Sequence, residues 1–172
     1  MTRLRRVIPV IGVLILLGAL AGRALAGNNP QVDGEIKKKG GDFVGLGVTN
    51  ETGADQTVKA RIHQGETAIF YVRYTNTGDV GPADFKLEPC VFDDPELRVR
   101  FFRGATDITD EANAETFIFP SVSVAETTPK VRVEVKARRA APDGFLATRC
   151  VGAAVTTNEQ NRDEPQWRVK VV

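Results

Sequence analysis

Residues 66–78 read Glu-Thr-Ala-Ile-Phe-Tyr-Val-Arg-Tyr-Thr-Asn-Thr-Gly, and this stretch decides the fold. Ala68, Phe70, Val72 and Tyr74 fall on one face at a period of two, which predicts a strand with one buried side. The Asn-Thr-Gly-Asp sequence at 76–79 then predicts a turn, because these residues tolerate the backbone angles that turns need.

Short alternating stretches of the same kind recur along the chain, separated by turns rich in Gly, Pro, Asn and Asp. The clearest is 130–136, where three valines alternate with charged residues. Beyond residue 26, no stretch shows a sustained helical period. The pattern predicts an all-β protein with an antiparallel β-sandwich fold. The residues assigned to its core are Phe70, Val72, Tyr74, Leu97, Val99, Val133, Val151 and Trp167.

The first 26 residues have the layout of a secretory signal peptide. A basic start with Arg3, Arg5 and Arg6 precedes an uncharged apolar run at 7–22, and Ala24-Leu25-Ala26 fits a cleavage site. The alternative is an uncleaved N-terminal anchor. Residues 27–41 are predicted to form a polar arm with a short edge strand at 33–38. Residues 42–172 are predicted to form a single β-sandwich domain.

Composition restricts the partners. The net charge of the whole chain is +1, and the leader alone carries four arginines, so the exported part is weakly acidic. Such a balance gives no reason to expect nucleic acid, or an anionic membrane, as a partner. The run of lysines at 37–39 is interpreted as a solvated strand edge, with a binding patch as the alternative. The predicted location is the extracellular space, the cell surface or the periplasm.

Two cysteines, Cys90 and Cys150, suggest a disulfide in an exported chain, with two free thiols as the alternative. Each has the strand parity opposite to its apolar neighbours. We therefore expect both side chains to point outward, in a surface disulfide between adjacent strands of one sheet.

The sequence contains few residues or motifs that could act in catalysis. His63 is the only histidine, and the chain has no Gly-x-Ser-x-Gly nucleophile motif and no phosphate-binding glycine loop. One histidine and two paired cysteines would not form a zinc site. The sequence predicts a non-enzymatic protein without a cofactor. Whether calcium binds the acidic turns is left open, with solvated turns as the alternative; these turns contain Asp93, Asp94, Glu96, Asp107, Asp110 and Glu111.

A candidate partner-contact patch lies on the outward parity of two strands. Tyr71 and Phe102 are aromatic residues on that side, and Arg98, Arg100 and Arg103 flank Phe102. These arginines would suit an acidic partner. An ordinary polar outer face is the alternative, and the N-terminal arm could cover the aromatic residues.

Three motifs stand out along the chain: Gly40-Gly41-x-Phe43-Val44-Gly45, Phe70-x-Val72-x-Tyr74-x-Asn76-x-Gly78, and Val99-x-Phe101-Phe102-x-Gly104-x-Thr106-Asp107. They resemble those of the immunoglobulin-like, cell-adhesion-related (CARDB-like) domains that bacteria secrete. The resemblance implies an immunoglobulin-like sandwich of about seven to nine strands. It implies a role in adhesion, display or protein interaction at the bacterial surface, through an unknown protein or cell-envelope component. A soluble carbohydrate- or ligand-binding module is the alternative.

Overall fold

The computed structural model describes residues 30–90 and 94–172, and the predicted leader at 1–26 lies outside them. Two β-sheets pack face to face around one hydrophobic core. The all-β, immunoglobulin-like sandwich predicted from the sequence is confirmed. It contains eleven strands instead of about seven to nine. Among the described residues, no helix is long and apolar enough to cross a bilayer.

The first sheet has five strands in the order β1-β3-β8-β5-β6, and all neighbours are antiparallel. Alternating apolar residues build β3 and β8, which lie at its centre. The strands are β1 (Val32–Lys38), β3 (Thr67–Asn76), β5 (Leu97–Arg103), β6 (Thr106–Asp107) and β8 (Val131–Ala137).

The second sheet has the order β2-β11-β9-β4-β7, with β10 also paired to β9. Its strands β2 and β11 run parallel, which departs from the predicted all-antiparallel arrangement. Alternation fixes which side chains point inward but not the direction of a neighbouring strand. The strands are β2 (Thr57–Ile62), β4 (Ala83–Pro89), β7 (Ile118–Val122), β9 (Leu146–Val155), β10 (Asn158–Asp163) and β11 (Gln166–Val171).

Two elements lie in polar stretches where the sequence pattern predicts no strand or helix. β10 forms a hairpin with β9. Its six residues carry no apolar alternation; backbone pairing and polar contacts hold them, such as the hydrogen bond from the Asn161 side chain to the carbonyl of Pro30. Residues 104–113 contain β6 and one helical turn, α1 (Thr109–Asn113). Ile108 and Ala112 are buried there and fix the turn against the core.

The predicted N-terminal arm contributes to the sandwich. Its β1 pairs with β3 along its whole length, and Val32 and Ile36 are fully buried. The edge strand expected at 33–38 is therefore present, and the folded unit extends upstream of Asp42. The following stretch at 42–53 forms a loop that pairs with β1 at an isolated bridge between Ile36 and Val44, and its Gly47 N–H donates to the carboxylate of Asp33 at 2.8 Å.

The inner face of β3 forms the centre of the core. Phe70, Val72 and Tyr74 have no exposed surface. Phe70 stacks on Trp167 of the second sheet with 6.1 Å between ring centroids. The Tyr74 hydroxyl donates a hydrogen bond of 2.6 Å to the backbone carbonyl of Val151, also in the second sheet. Burial raises the pKa of this hydroxyl well above its usual value, so it stays a donor.

The cysteines form a disulfide, as predicted, which joins Cys150 of β9 to Cys90, the residue that follows the adjacent strand β4. Their Cα atoms are 4.9 Å apart. Neither cysteine belongs to the apolar core, which agrees with the expected outward parity. The expectation of a surface bridge was wrong, because Cys150 is only 3% exposed. The carboxylate of Glu164, just after β10, lies within 4.8 Å of both sulfur atoms.

A buried carboxylate joins three parts of the chain. Asp163 has no exposed surface and accepts hydrogen bonds from the backbone N–H groups of Gly34, Asn50 and Glu164 at 2.6–3.0 Å. The side-chain amide of Gln56, which is also fully buried, donates to the same carboxylate. These bonds tie β1, the 39–56 loop and the end of β10 together. Burial raises the pKa of Asp163 to about 6, although the three backbone donors act in the opposite direction.

The stacking of Phe70 on Trp167 generates a stability prediction. Phe70→Ala should lower the free energy of unfolding by about 3–5 kcal/mol, because it leaves a cavity between the sheets. Urea unfolding monitored by Trp167 fluorescence measures the loss. Thr67→Ala, at an exposed position of the same strand, is the control and should change stability by less than about 1 kcal/mol. A near-neutral Phe70→Ala variant would contradict the assigned inner face.

Asp163 generates a pH prediction. Its pKa is raised in the folded state, so between about pH 4 and 6 the folded chain binds more protons than the unfolded chain. Its contribution to the free energy of unfolding should therefore fall by on the order of 2 kcal/mol as pH rises through that window. Above the window it should be constant.

Two measurements check this. An NMR titration of the Gly34 and Asn50 amides should show an inflection near pH 6, since both donate to the carboxylate. The stability difference between wild type and Asp163→Asn should change over the same window. Amide shifts that titrate near pH 4 instead would show that the hydrogen bonds outweigh burial.

Candidate functional site

The outer face of the first sheet carries aromatic and cationic side chains in alternation. The strand register places Lys37, Tyr71, Arg132 and Phe102 directly opposite one another on four consecutive strands. Adjacent strands are about 4.8 Å apart, so these side chains form one row across the sheet. Their parity is outward because the adjacent residues on the same strands are fully buried in the core: Ile36, Phe70, Val133 and Phe101.

Cations cover the aromatic rings. The Lys130 ammonium lies 4.9 Å from the centre of the Tyr71 ring. The guanidinium groups of Arg132 and Arg100 lie 4.2 Å and 4.7 Å from the centre of the Phe102 ring. Such contacts are favourable because the ring face is electron-rich. They restrict the long cationic side chains to positions over the rings.

A third ring comes from the loop after β1. Phe43 is half-buried and lies over β1 and β3, with Arg73 at 4.1 Å and Lys37 at 4.7 Å from its ring centre. We call the resulting surface the aromatic–cation face. It comprises Lys37, Phe43, Tyr71, Arg73, Arg98, Arg100, Phe102, Lys130 and Arg132.

Acidic residues neutralise part of this face. Arg73 pairs with Glu35 at 2.8 Å, Arg132 with Glu134 at 3.2 Å, and Arg100 with Asp107. Hydrogen bonds from Thr109 and then from Arg100 lower the pKa of Asp107 to about 2. Among the described residues, Arg98, Lys130 and Lys37 form no ion pair, so the face keeps a positive surplus.

The residues of the predicted partner-contact patch differ in exposure, and they do not all lie on the same face. Tyr71 and Arg100 are half-buried on this face, and Arg98 is exposed there. Phe102 is only 6% exposed, because Arg100 and Arg132 cover it. Arg103 lies opposite Val131 and has the parity of Phe101, so it projects from the other side of the strand at its exposed end.

Sequence reasoning missed Phe43, Lys130 and Arg132 as members of the face. Phe43 lies in a loop without alternation, so no pattern placed it over the sheet. Arg132 lay in the cleanest alternating stretch of the chain, but only the strand order puts it between Tyr71 and Phe102.

The other candidate residues have structural partners. His63 is exposed in a turn; its backbone N–H donates to Glu66, and its Nδ1 lies 2.7 Å from the carbonyl oxygen of Val172. Asp94 binds Arg149 at 2.9 Å and caps the N–H of Glu96. Asp93 lies outside the described residues. Within residues 30–90 and 94–172, neither acidic turn brings three carboxylates to within 4.8 Å of one another.

Comparison with known proteins assigns this chain to no family. No protein-family model and no curated protein matches the chain. A family 123 glycoside hydrolase from Clostridium perfringens aligns with 83% of this chain at 8% identity and a TM-score of 0.47. The alignment spans 27% of the hydrolase chain.

Two further solved structures align with the chain. A cohesin–dockerin complex from Clostridium thermocellum covers 67% of this chain at 13% identity, with a TM-score of 0.38 and 92% of its own chain aligned. The PapD-like domain 7 of human CEP192 covers 100% at 11% identity, with a TM-score of 0.37 and 96% of its own chain aligned. With TM-scores below 0.5, these alignments define neither a family nor a role for this chain. The class of protein that its own two packed sheets define is an immunoglobulin-like β-sandwich.

Proposed function

We propose that this protein is a non-enzymatic, exported interaction module that binds a protein component of the bacterial cell surface through its aromatic–cation face. The observation that carries the proposal is the row Lys37, Tyr71, Arg132 and Phe102, together with the rings and cations that flank it. The CARDB-like sequence resemblance supports an adhesive or presenting role in that setting.

The composition of the face suits protein recognition. Tyr and Arg contribute most to protein interfaces, because each offers a large contact area with a polar group attached. Here Tyr71 is half-exposed and its ring is held beneath Lys130, so little conformational entropy is lost on binding. The surplus cations favour an acidic partner surface.

Export is the second part of the proposal. The disulfide between Cys90 and Cys150 is typical of oxidising compartments. The leader-like sequence at 1–26 points to the same route. A soluble carbohydrate-binding module is the second candidate function, and binding of neutral glycans by the same face would favour it.

The proposal predicts which face retains a partner. Immobilised protein should retain a specific cell-envelope protein of the source bacterium. Tyr71→Ala combined with Lys130→Gln should weaken that retention by about tenfold, because both substitutions remove contact area at the centre of the face. Affinity for the isolated partner, measured by surface plasmon resonance, gives the magnitude.

The control is a double variant on the second sheet, Lys59→Gln with Lys170→Gln, which should retain the partner within about twofold. Equal losses from the two double variants would contradict the assignment of the binding face. A glycan array that binds wild type but not the Tyr71 variant would replace the proposal with the carbohydrate-binding alternative.

A further inference from the structure

The second sheet carries a cluster of cations far from the aromatic–cation face. Lys59 and Arg61 point outward from β2, and Arg168 and Lys170 point outward from β11. The parallel register puts Lys59 opposite Arg168 and Arg61 opposite Lys170. Sheet geometry spaces the four positions about 4.8 Å across the strands and about 6.6 Å along them. Lys38, at the end of β1, lies beside them.

This arrangement works against stability. Like charges directly opposite each other on neighbouring strands repel and destabilise a sheet. Among the described residues, none of these four cations belongs to an ion pair. Arg168 Nε donates to the Thr148 hydroxyl at 2.9 Å, which positions the guanidinium without neutralising it.

Protection of a sheet edge explains only half of the cluster. Lysines on an edge strand discourage pairing with another chain, and β2 is an edge strand. Arg168 and Lys170 lie on β11, which is paired on both sides by β2 and β9. Their charges therefore have no edge to protect.

The same residues line a shallow groove of about 540 Å³. Leu146, which is 56% exposed, lies opposite Lys170 and contributes an apolar wall. Long cationic side chains lay their aliphatic stems along apolar surface and keep the charged groups in water, so the lysines and arginines offer both apolar and charged contacts here. We call this surface the basic groove; it comprises Lys38, Lys59, Arg61, Leu146, Arg168 and Lys170.

We propose that the basic groove binds an anionic polysaccharide, that is, a linear glycan bearing carboxylate, sulfate or phosphate groups. The four cations form a two-by-two grid, so a ligand that complements them carries negative charge at more than one point. The C–H faces of sugar rings fit against Leu146 and the aliphatic stems, while the anionic substituents meet the ammonium and guanidinium groups.

The shape of the groove disfavours two other anionic partners. A membrane surface is flat on this scale, so its headgroups would reach the rim and leave the concave floor empty. An acidic peptide that adds to the sheet would pair with the edge of β2 and would not reach Arg168, Lys170 or Leu146. A linear chain lying across β2, β11 and β9 contacts all of them.

The test uses the whole chain and four probes: heparin fragments, polygalacturonate, poly-glutamate, and vesicles of phosphatidylglycerol in phosphatidylcholine. Wild type should bind at least one of the two polysaccharides more tightly than poly-glutamate or vesicles, and the affinity should fall with added salt. Lys59→Gln with Lys170→Gln removes one cation from each opposed pair and should weaken polysaccharide binding by about tenfold. The melting temperature of this variant should stay the same or rise, because like-charge repulsion is relieved.

The matched control is Arg98→Gln with Lys130→Gln, which removes the same charge from the aromatic–cation face and should change polysaccharide affinity by less than about twofold. Equal weakening by both double variants would overturn the proposal, because it would show general electrostatic attraction and no binding site at the basic groove. Tighter binding to vesicles or to poly-glutamate would overturn it in favour of a membrane or an acidic protein, and no binding to either polysaccharide would also overturn it. This proposal does not rest on the partner of the aromatic–cation face, so either one can fail alone.

Discussion

The hydroxyl of Tyr74 crosses the sandwich and donates to the backbone carbonyl of Val151. Because both groups are fully buried, the free energy of leaving either without a partner would be high. The bond therefore fixes the spacing and alignment of β3 against β9, while Phe70 and Trp167 fill the space further along. Because inward and outward residues alternate along each strand, this inner alignment also sets the positions of the outward side chains. The residues of the aromatic–cation face and of the basic groove are positioned in this way.

Much of the fold could be predicted, because a strand with one buried face has apolar residues at every second position. The inner face of β3, the valines of β8 and the core position of Trp167 all follow from that period. The period says nothing where no face is buried by apolar side chains, and so β10 was missed. It also says nothing about strand direction, and so the parallel pairing of β2 with β11 was missed.

The candidate sites were less predictable, because each depends on contacts between distant residues. Tyr71 and Phe102 could be assigned to an outer face by parity, but Phe43 and Lys130 join that face only through the fold. Net charge was misleading in the same way. A weakly acidic exported part gave no reason to expect a cationic surface, yet strand order gathers cations from 38, 59–61 and 168–170 onto one patch.

The position of β11 has a consequence for how the chain reaches its folded state. This strand lies inside the second sheet, between β9, which precedes it closely, and β2, which lies far upstream. A chain that emerges from its N-terminus, whether from a ribosome or from an export channel, therefore holds β2 without its hydrogen-bonding partner until residues 166–171 have emerged. The pairing of β2 therefore has to form late, and its long range along the chain should make it slow. A chain whose folding is delayed in this way remains able to pass through a narrow channel while it is being exported.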